Sequence, residues 1–349
     1  MRTSIDKALI TIMAITFLSA CSPDSIATPE PPSDAAVSTL TSNTSVPGPI
    51  SINTVEQVVL LHTLSGHNQR VMNVVFSADG AFVASSSEDM KIKLWDVRSG
   101  QEVHTFLMTR IDMMDIAFSP DGSLLASGEA IWDVESKQEL YTLERGRQLP
   151  AHVAFSPDGS LLAVALIDRP IKLWDVASGQ VVRTFDDEAD NRTTTIEFSP
   201  DGALLAVGVN DGTVRLWDVE SGEITDSFRY GGESDIHDIE FSPDGRFLAS
   251  GGRVPSVRLW DVAIGEVAST LGLRDGLMSV DFSPDGTILA STGGDEHAVR
   301  LWDVESGRLL RSLPHDDQLM TVAFSLDGKL LAAGCYDNQV YLWGISTEP

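Results

Sequence analysis

Two sets of residues in this sequence combine the side chains that nucleophilic catalysis uses. The sets are His67, Ser87 and Asp89, and His315, Cys335 and Asp337. A hydroxyl or thiol, a base and an orienting carboxylate are the residue types that hydrolases bring together. Both sets have the same spacing, with 20 residues from the histidine to the second member and two more to the acid. Whether these sets could act in catalysis depends on the strands and loops that position them.

Three carboxylates form a candidate for a different chemistry. Glu197, Glu240 and Asp281 each stand immediately before a phenylalanine, so in a repeated fold they share one level on neighbouring strands. Clustered carboxylate oxygens can bind a divalent cation, which is the alternative interpretation. We expect backbone or water partners instead, and we predict no metal and no cofactor. The acidic run 186–190 lacks the glycine and spacing of a calcium loop and is interpreted as a solvated loop.

A regular repeat positions all of these residues. The seven tryptophans follow one another at gaps of 37, 42, 43, 43, 42 and 41 residues: Trp95, Trp132, Trp174, Trp217, Trp260, Trp302 and Trp343. Each is preceded by a phenylalanine that begins a tight turn of the FSPDG type, and six are followed by aspartate. A period of this length indicates one supersecondary unit per repeat.

The repeat that contains Trp217 predicts four antiparallel strands. Apolar residues alternate up to Phe198, a second strand covers 204–208, and the Asn-Asp-Gly hairpin tip at 210–212 leads into a third strand that ends at Trp217. A second turn at 218–222 then begins a fourth strand. Four-stranded units of this kind are propeller blades.

With these motifs, residues 58–345 resemble the WD-repeat family. The resemblance implies an all-β fold, a seven-bladed β-propeller of four-stranded antiparallel blades. Residues 318–344 supply only three strands of blade seven, so we predict that the ring is closed by an N-terminal outer strand at Val58 to Leu64. The propeller is predicted to cover 55–349.

The resemblance also implies that the two histidine sets are structural. In WD-repeat proteins these positions join the blade tryptophan, here Trp95 or Trp343, in a buried hydrogen-bonded network. Cys335 departs from the family's usual hydroxyl residue, and we expect burial to keep its thiol inert. No metalloprotease, nucleophile-elbow, P-loop or dinucleotide motif occurs in the sequence. We therefore predict no enzyme, and a hydrolase or lactonase site at the channel mouth is the alternative.

Blade two is irregular. Phe118 to Trp132 spans 14 residues, whereas five other repeats span 19 and one spans 20. Lys137 replaces the turn glycine, and a side chain at positive φ costs on the order of 1 kcal/mol, so this blade is expected to be the least stable. Six good blades with one degenerate insert remain the alternative.

The N-terminus has the layout of a secretory signal. Arg2 and Lys7 precede an uncharged apolar run, 8–18, and the following Leu-Ser-Ala-Cys ending at Cys21 resembles the lipobox of bacterial lipoproteins. The resemblance implies removal of 1–20 and lipidation of Cys21. Residues 21–54, rich in Pro, Ser and Thr, are interpreted as a tether. The predicted location is the bacterial cell envelope, outside the cytoplasm and anchored to the membrane by lipid.

Composition favours a protein partner over nucleic acid. The formal net charge is −27, from 51 acidic and 24 basic residues, which repels phosphates. We predict an interaction platform or scaffold that binds an unidentified protein, and a permanent envelope-assembly lipoprotein is a further alternative.

The predicted binding surface is the loop face, formed by the loops before each innermost strand and by the hairpin tips. The SPDG-type and DVxSG-type turns of the opposite turn face are nearly uniform, whereas the loop face varies and carries scarce basic residues. Its predicted partner-binding residues are Arg70, Met72, Arg110, Met114, Arg147, Arg192, Tyr230, His237, Arg274, Met278 and Met320. Arg70, Arg192 and Tyr230 are expected to matter most. The alternative is that these are solvated loop residues and core methionines.

Overall fold

A computed structural model describes residues 48–109, 115–143, 150–166, 170–186, 192–230, 235–273, 276–293 and 297–345. These residues form seven four-stranded antiparallel sheets, which confirms the seven-bladed propeller and excludes the six-bladed alternative. No helix within the described ranges is long and apolar enough to cross a bilayer. Cys21, with the rest of the predicted signal and most of the tether, lies outside the described residues.

Blades one to three follow one another along the chain, each running from the channel outwards. Blade one contains β2 (Val71–Phe76), β3 (Phe82–Ser87), β4 (Lys91–Asp96) and β5 (Gln101–Leu107). Blade two contains β6 (Ile116–Phe118), β7 (Leu124–Ser127), β8 (Ala130–Asp133) and β9 (Glu139–Thr142). Blade three contains β10 (Pro150–Phe155), β11 (Leu161–Leu166), β12 (Ile171–Asp175) and β13 (Gln180–Phe185).

Blades four to six repeat this order. Blade four contains β14 (Thr193–Phe198), β15 (Leu204–Val209), β16 (Thr213–Asp218) and β17 (Ile224–Arg229). Blade five contains β18 (Ile236–Phe241), β19 (Phe247–Gly252), β20 (Ser256–Asp261) and β21 (Glu266–Gly272). Blade six contains β22 (Leu277–Phe282), β23 (Ile288–Gly293), β24 (Ala298–Asp303) and β25 (Leu309–Pro314).

Blade seven is built from both ends of the described chain. Its strands are β26 (Leu319–Phe324), β27 (Leu330–Cys335), β28 (Gln339–Ile345) and β1 (Val58–Ser65). β1 pairs antiparallel with β28, from Val58 opposite Ile345 to Ser65 opposite Gln339, which confirms closure by the N-terminal strand. Packing begins before β1, because Ile50 is buried in the blade-seven core and its N–H donates to the Gly328 carbonyl.

The core lies between blades. The outer-strand phenylalanine of one blade packs on the tryptophan of the next, with ring centroids 5.4 Å apart for Phe185 and Trp217 and 5.2 Å for Phe228 and Trp260. Neither face of a single blade is buried without its neighbours. Each blade is therefore stabilised by its interfaces with its neighbours.

The turn face is held by one repeated hydrogen-bond motif. In blade four the Ser199 hydroxyl donates to Asp201 Oδ1 at 2.6 Å and accepts the Leu204 N–H at 2.9 Å. The Ser199 hydrogen bond lowers the pKa of Asp201. Gly202 follows at φ 73°, where glycine has no steric penalty. All seven blades carry this serine–aspartate pair, so the residues of this face serve turn geometry.

Blade two keeps four strands despite its missing residues. β7 ends at Ser127 and β8 begins at Ala130, so the hairpin tip is reduced to two residues. Lys137 lies at φ 62°, close to the 67° of Gly100 in the equivalent turn of blade one, as expected from the sequence.

Candidate functional site

The innermost strands of the seven blades surround a central channel with a cavity of about 990 Å³. Several predicted partner-binding residues meet here, and Met72, His237, Met278 and Met320 each lie at the register shift of their innermost strand. The residues of the predicted set that line this cavity are Met72, Arg192, His237, Met278 and Met320. Arg192 is exposed, Met72, His237 and Met278 are half-buried, and Met320 is buried. The loop-face mouth is therefore an apolar rim interrupted by basic and imidazole groups.

A first polar level lies below the mouth, three residues before each blade phenylalanine. Here a side chain of one blade accepts a main-chain N–H of the next: Asp115 from Val153 at 3.0 Å, and Asp238 from Val280 at 2.9 Å. The Asn73 side-chain amide also donates to Asp115. These groups connect neighbouring blades across the channel wall.

A second, more acidic level lies toward the turn face. Glu197, Glu240 and Asp281 line a narrower cavity of about 360 Å³, together with Phe155 and other phenylalanines and the turn prolines. Asp281 accepts the Phe324 N–H of blade seven. The predicted common level of the three carboxylates is thus present in the channel.

Burial in the channel raises the pKa of these carboxyl groups. Desolvation, with the charges of Asp238 and Asp281, raises the pKa of Glu197 to about 8, and desolvation raises the pKa of Asp281 to about 8. Burial raises the pKa of Asp238 to about 7 and that of Glu240 well above its ordinary value. The channel therefore holds protons close to neutral pH. The ligand atoms of Glu197, Glu240 and Asp281 do not gather within 4.8 Å of one another, so their geometry does not build a cation cage.

Comparison with known families agrees with this architecture. The sequence model of the IFT122 first beta-propeller matches residues 44–270, and that of the WD domain, G-beta repeat matches residues 266–303 and 307–344. The chain belongs to the WD-repeat β-propeller family.

The individual relatives named here match short segments of the chain. "WD repeat-containing protein SL1-17" of Schistosoma mansoni is 39% identical over 72 residues, which cover 21% of this chain and 24% of that protein. "Vegetative incompatibility protein HET-E-1" of Podospora anserina is 49% identical over 51 residues, 15% of this chain and 4% of that protein. "Protein tipD" of Dictyostelium discoideum is 28% identical over 124 residues, which cover 34% of this chain and 20% of that protein. The chain spans no more than about a quarter of the length of these relatives.

The WD-repeat network of blade one contains a different serine from the one expected to join His67 and Trp95. The Ser85 hydroxyl lies 2.8 Å from His67 Nε2 and accepts the Trp95 indole N–H at 2.8 Å. His67 Nδ1 lies 3.1 Å from Asp89, and burial lowers the pKa of His67. Ser87 instead donates to the Gln69 carbonyl at 2.9 Å. His67, Ser85 and Ser87 are buried and Asp89 is half-buried.

Blade seven departs from this network. Ala333 occupies the position of Ser85, so no hydroxyl is available there. Cys335 Sγ lies 3.6 Å from His315 Nδ1, and Asp337 accepts the Tyr341 hydroxyl at 2.6 Å. The Tyr341 ring lies 5.9 Å from that of Trp343. Burial raises the pKa of the Cys335 thiol to about 12, in the direction expected from the sequence.

Tyr230 is placed in the core and not on the loop face. Its side chain is 5% exposed, and its hydroxyl donates to the Ser250 carbonyl. Ser250 in turn accepts the Trp260 N–H at 2.8 Å, so Tyr230 serves blade five as His67 serves blade one. Burial raises the pKa of Tyr230 to about 12. An aromatic ring with a satisfied hydroxyl gains more from the core than from solvent, and the expectation of an exposed anchor is corrected.

Arg70 lies on the loop face but away from the channel. One guanidinium nitrogen is 2.5 Å from Glu88 Oε1, and another donates to the Tyr336 hydroxyl of blade seven at 2.8 Å. Arg70 therefore connects two blades. Arg110, Met114, Arg147 and Arg274 lie outside the described residues.

Sequence reasoning missed several residues of the channel. Arg253 lines the mouth and lies 3.6 Å from Asp235 through Nε, and Asp115, His152 and Asp238 form part of the first polar level. The available signal was the position three residues before each phenylalanine, which is polar in every blade.

Proposed function

We propose that this WD-repeat propeller is a scaffold that binds a protein partner at the loop-face mouth of its channel. The observation that carries the proposal is the contrast between two faces. Turn-face residues repeat one hydrogen-bond motif, whereas the mouth gathers Met72, Met278 and Met320 around a deep cavity. Methionine adapts to irregular partner surfaces, and arginine is enriched at interfaces.

Charge supports a partner with basic groups. The chain carries a net charge of −27. Electrostatic complementarity increases association rates and discriminates against acidic polymers such as nucleic acid.

A non-enzymatic role agrees with the buried histidine networks, since His67 and Ser85 are occupied by each other and by Trp95. One observation favours an enzyme as the second candidate. Carboxyl groups with raised pKa values, such as Glu197, are suited to general acid catalysis. Hydrolytic activity that is lost in Glu197→Gln would support that alternative.

We further propose that the protein is extracytoplasmic and attached to a bacterial membrane through lipidated Cys21. The proposal rests on the signal-like segment and the Leu-Ser-Ala-Cys match that ends at Cys21. Acyl chains contribute roughly 0.8 kcal/mol per buried methylene, so a multiply acylated cysteine holds the protein at the membrane. Cys21→Ala should move the protein from the membrane to the soluble fraction, and an unchanged membrane fraction would refute the anchor.

The partner site can be tested by cross-linking on intact cells, affinity recovery of the propeller, and binding measurements with the recovered partner. Arg192→Ala and Met278→Ala remove an exposed basic group and a rim methionine. Each should weaken binding about tenfold or more without changing the melting temperature. Arg246→Ala is the matched control, because its side chain is 66% exposed on the turn face. If both mouth variants bind as the control does, the interface lies elsewhere.

A further inference from the structure

The departure of blade seven from the family network creates a different set of donors. His315 Nδ1, Cys335 Sγ and a carboxylate oxygen of Asp337 all lie within 4.8 Å of one another. Among the described residues, this is the group of three whose ligand atoms converge so closely. Nitrogen, sulfur and oxygen donors together are suited to a borderline-soft divalent cation.

We propose that His315, Cys335 and Asp337 bind a Zn²⁺-class cation. With bonds of about 2.3 Å to sulfur and about 2.0 Å to nitrogen at tetrahedral angles, the two donor atoms stand roughly 3.5 Å apart. The Sγ–Nδ1 distance here is 3.6 Å. The cation therefore fits between these two donors without a large movement of either strand or loop.

The imidazole presents the correct atom. The Asp317 N–H lies 3.1 Å from His315 Nδ1 and the Asp317 carbonyl oxygen lies 3.3 Å from it, and the tautomer with the ring proton on Nε2 is the one that offers Nδ1 to a cation. A cation replaces this contact and takes the lone pair. Binding also exchanges the thiol proton for a sulfur–metal bond, and that proton leaves to solvent.

Access and charge favour the site. Cys335 is fully buried and forms its floor, whereas His315 and Asp337 are half-buried and open toward solvent. Asp316 and Asp317 follow His315 in the sequence, and the charge of Asp317 acts on Cys335. Three protein ligands leave one tetrahedral position for water.

Blade one supplies an internal comparison. His67 there faces Asp89 through Nδ1 and Ser85 through Nε2, so both ring nitrogens are occupied. Ser87, at the position of Cys335, is directed to the Gln69 carbonyl. In blade one these family positions hold no thiol and include the Ser85 hydroxyl, so they form a hydrogen-bonded network. We expect no cation there.

The test uses Co²⁺ alone as the probe. The protein is the full chain with Cys21→Ala, and because the sequence contains two cysteines, Cys335 is then the remaining thiol. Titration should give a thiolate-to-cobalt charge-transfer band and tetrahedral visible bands at one Co²⁺ per chain, displaced by Zn²⁺. Cys335→Ser and His315→Asn should each weaken binding at least about 100-fold. His67→Asn, the same change at the equivalent position of blade one, should leave the spectrum unchanged.

A measurement on unsubstituted Cys335 guards against variants that fail to fold. Because Cys335 is fully buried, its thiol is alkylated when the fold opens, so Zn²⁺ should slow this alkylation and raise the melting temperature, since a ligand that binds only the folded state stabilises it. The proposal is overturned if the cobalt spectrum lacks a thiolate band, or if Zn²⁺ changes neither alkylation nor melting. These outcomes are independent of partner binding at the loop-face mouth.

Discussion

One half of the channel is acidic at its second level and the other half is not. Immediately before the blade phenylalanine, blades four to six carry Glu197, Glu240 and Asp281, whereas the other blades carry Val75, Ala117, Ala154 and Ala323. Both halves form the same four-stranded blades. The carboxylates are therefore not required by blade geometry, and their raised pKa values indicate a cost in stability at neutral pH.

The largest effect should come from adding a carboxylate to the apolar half. Ala154, 6% exposed, contacts the core shared with blade four, so Ala154→Glu places a fourth acid at this level. The charged form should lower the free energy of unfolding by about 2 to 4 kcal/mol at pH 8, relative to Ala154→Gln, and by much less at pH 5. Denaturant unfolding of both variants at both pH values measures this. Equal stability of the two variants at pH 8 would show that the level is not a low-dielectric environment.

A smaller effect should be visible in the unsubstituted protein. Asp238, Asp281, Glu197 and Glu240 have folded-state pKa values above the unfolded value of about 4, so the folded state holds more protons between about pH 4 and pH 8. The free energy of unfolding should therefore fall as pH rises from 5 to 8. The lowered pKa of His67 acts in the opposite direction. A stability that is constant or rises over this range would contradict the expectation.

Removing one charge from the acidic half should stabilise the protein. Glu240→Gln keeps the side-chain shape, should raise the free energy of unfolding at pH 8 by about 1 kcal/mol, and should reduce the pH dependence. Glu220→Gln, on an exposed turn, is the matched control and should stay within about 0.5 kcal/mol of the original. A destabilised Glu240→Gln variant would mean that this carboxylate has a stabilising partner.

The smallest effect is expected for Asp281→Asn. Asp281 accepts the Phe324 N–H, and an amide oxygen can accept the same bond. Relief of the buried charge is then offset by loss of the charge-assisted hydrogen bond, so the change at pH 8 should be less than about 0.5 kcal/mol. Thermal unfolding of Asp281→Asn and Glu240→Gln, measured side by side, tests the order of the two stabilising effects. The predicted order is wrong if Asp281→Asn gives the larger stabilisation.

The architecture could be predicted from the sequence because the same pattern occurs in seven repeats. Strand alternation, the FSPDG turns and the missing strand of blade seven predicted the blades and their closure by β1, and the absent turn glycine predicted the positive φ of Lys137. Each of these features depends on local geometry or on counting strands. Both can be read without knowledge of side-chain contacts.

Side-chain roles within the blades were less predictable. Ser85, Ser86 and Ser87 are consecutive, and alternation along β3 determines which hydroxyl meets His67 and Trp95. Tyr230 lies outside the regular strand pattern, so its burial against Trp260 depends on the path of a loop. The pairing of Arg70 with Tyr336 joins residues 266 positions apart, and no local pattern indicates it.

The closing strand pair also sets a condition on synthesis. β1 is among the first parts of the propeller to leave the ribosome, and its partner β28 is the last; the hydrogen-bonded residues Ser65 and Gln339 are 274 positions apart. Until β28 exists, both edges of β1 lack a partner strand within the propeller, and contacts at such separation form slowly. A chain that stops short of β28 consequently exposes an unpaired apolar strand, which marks it for proteases and chaperones.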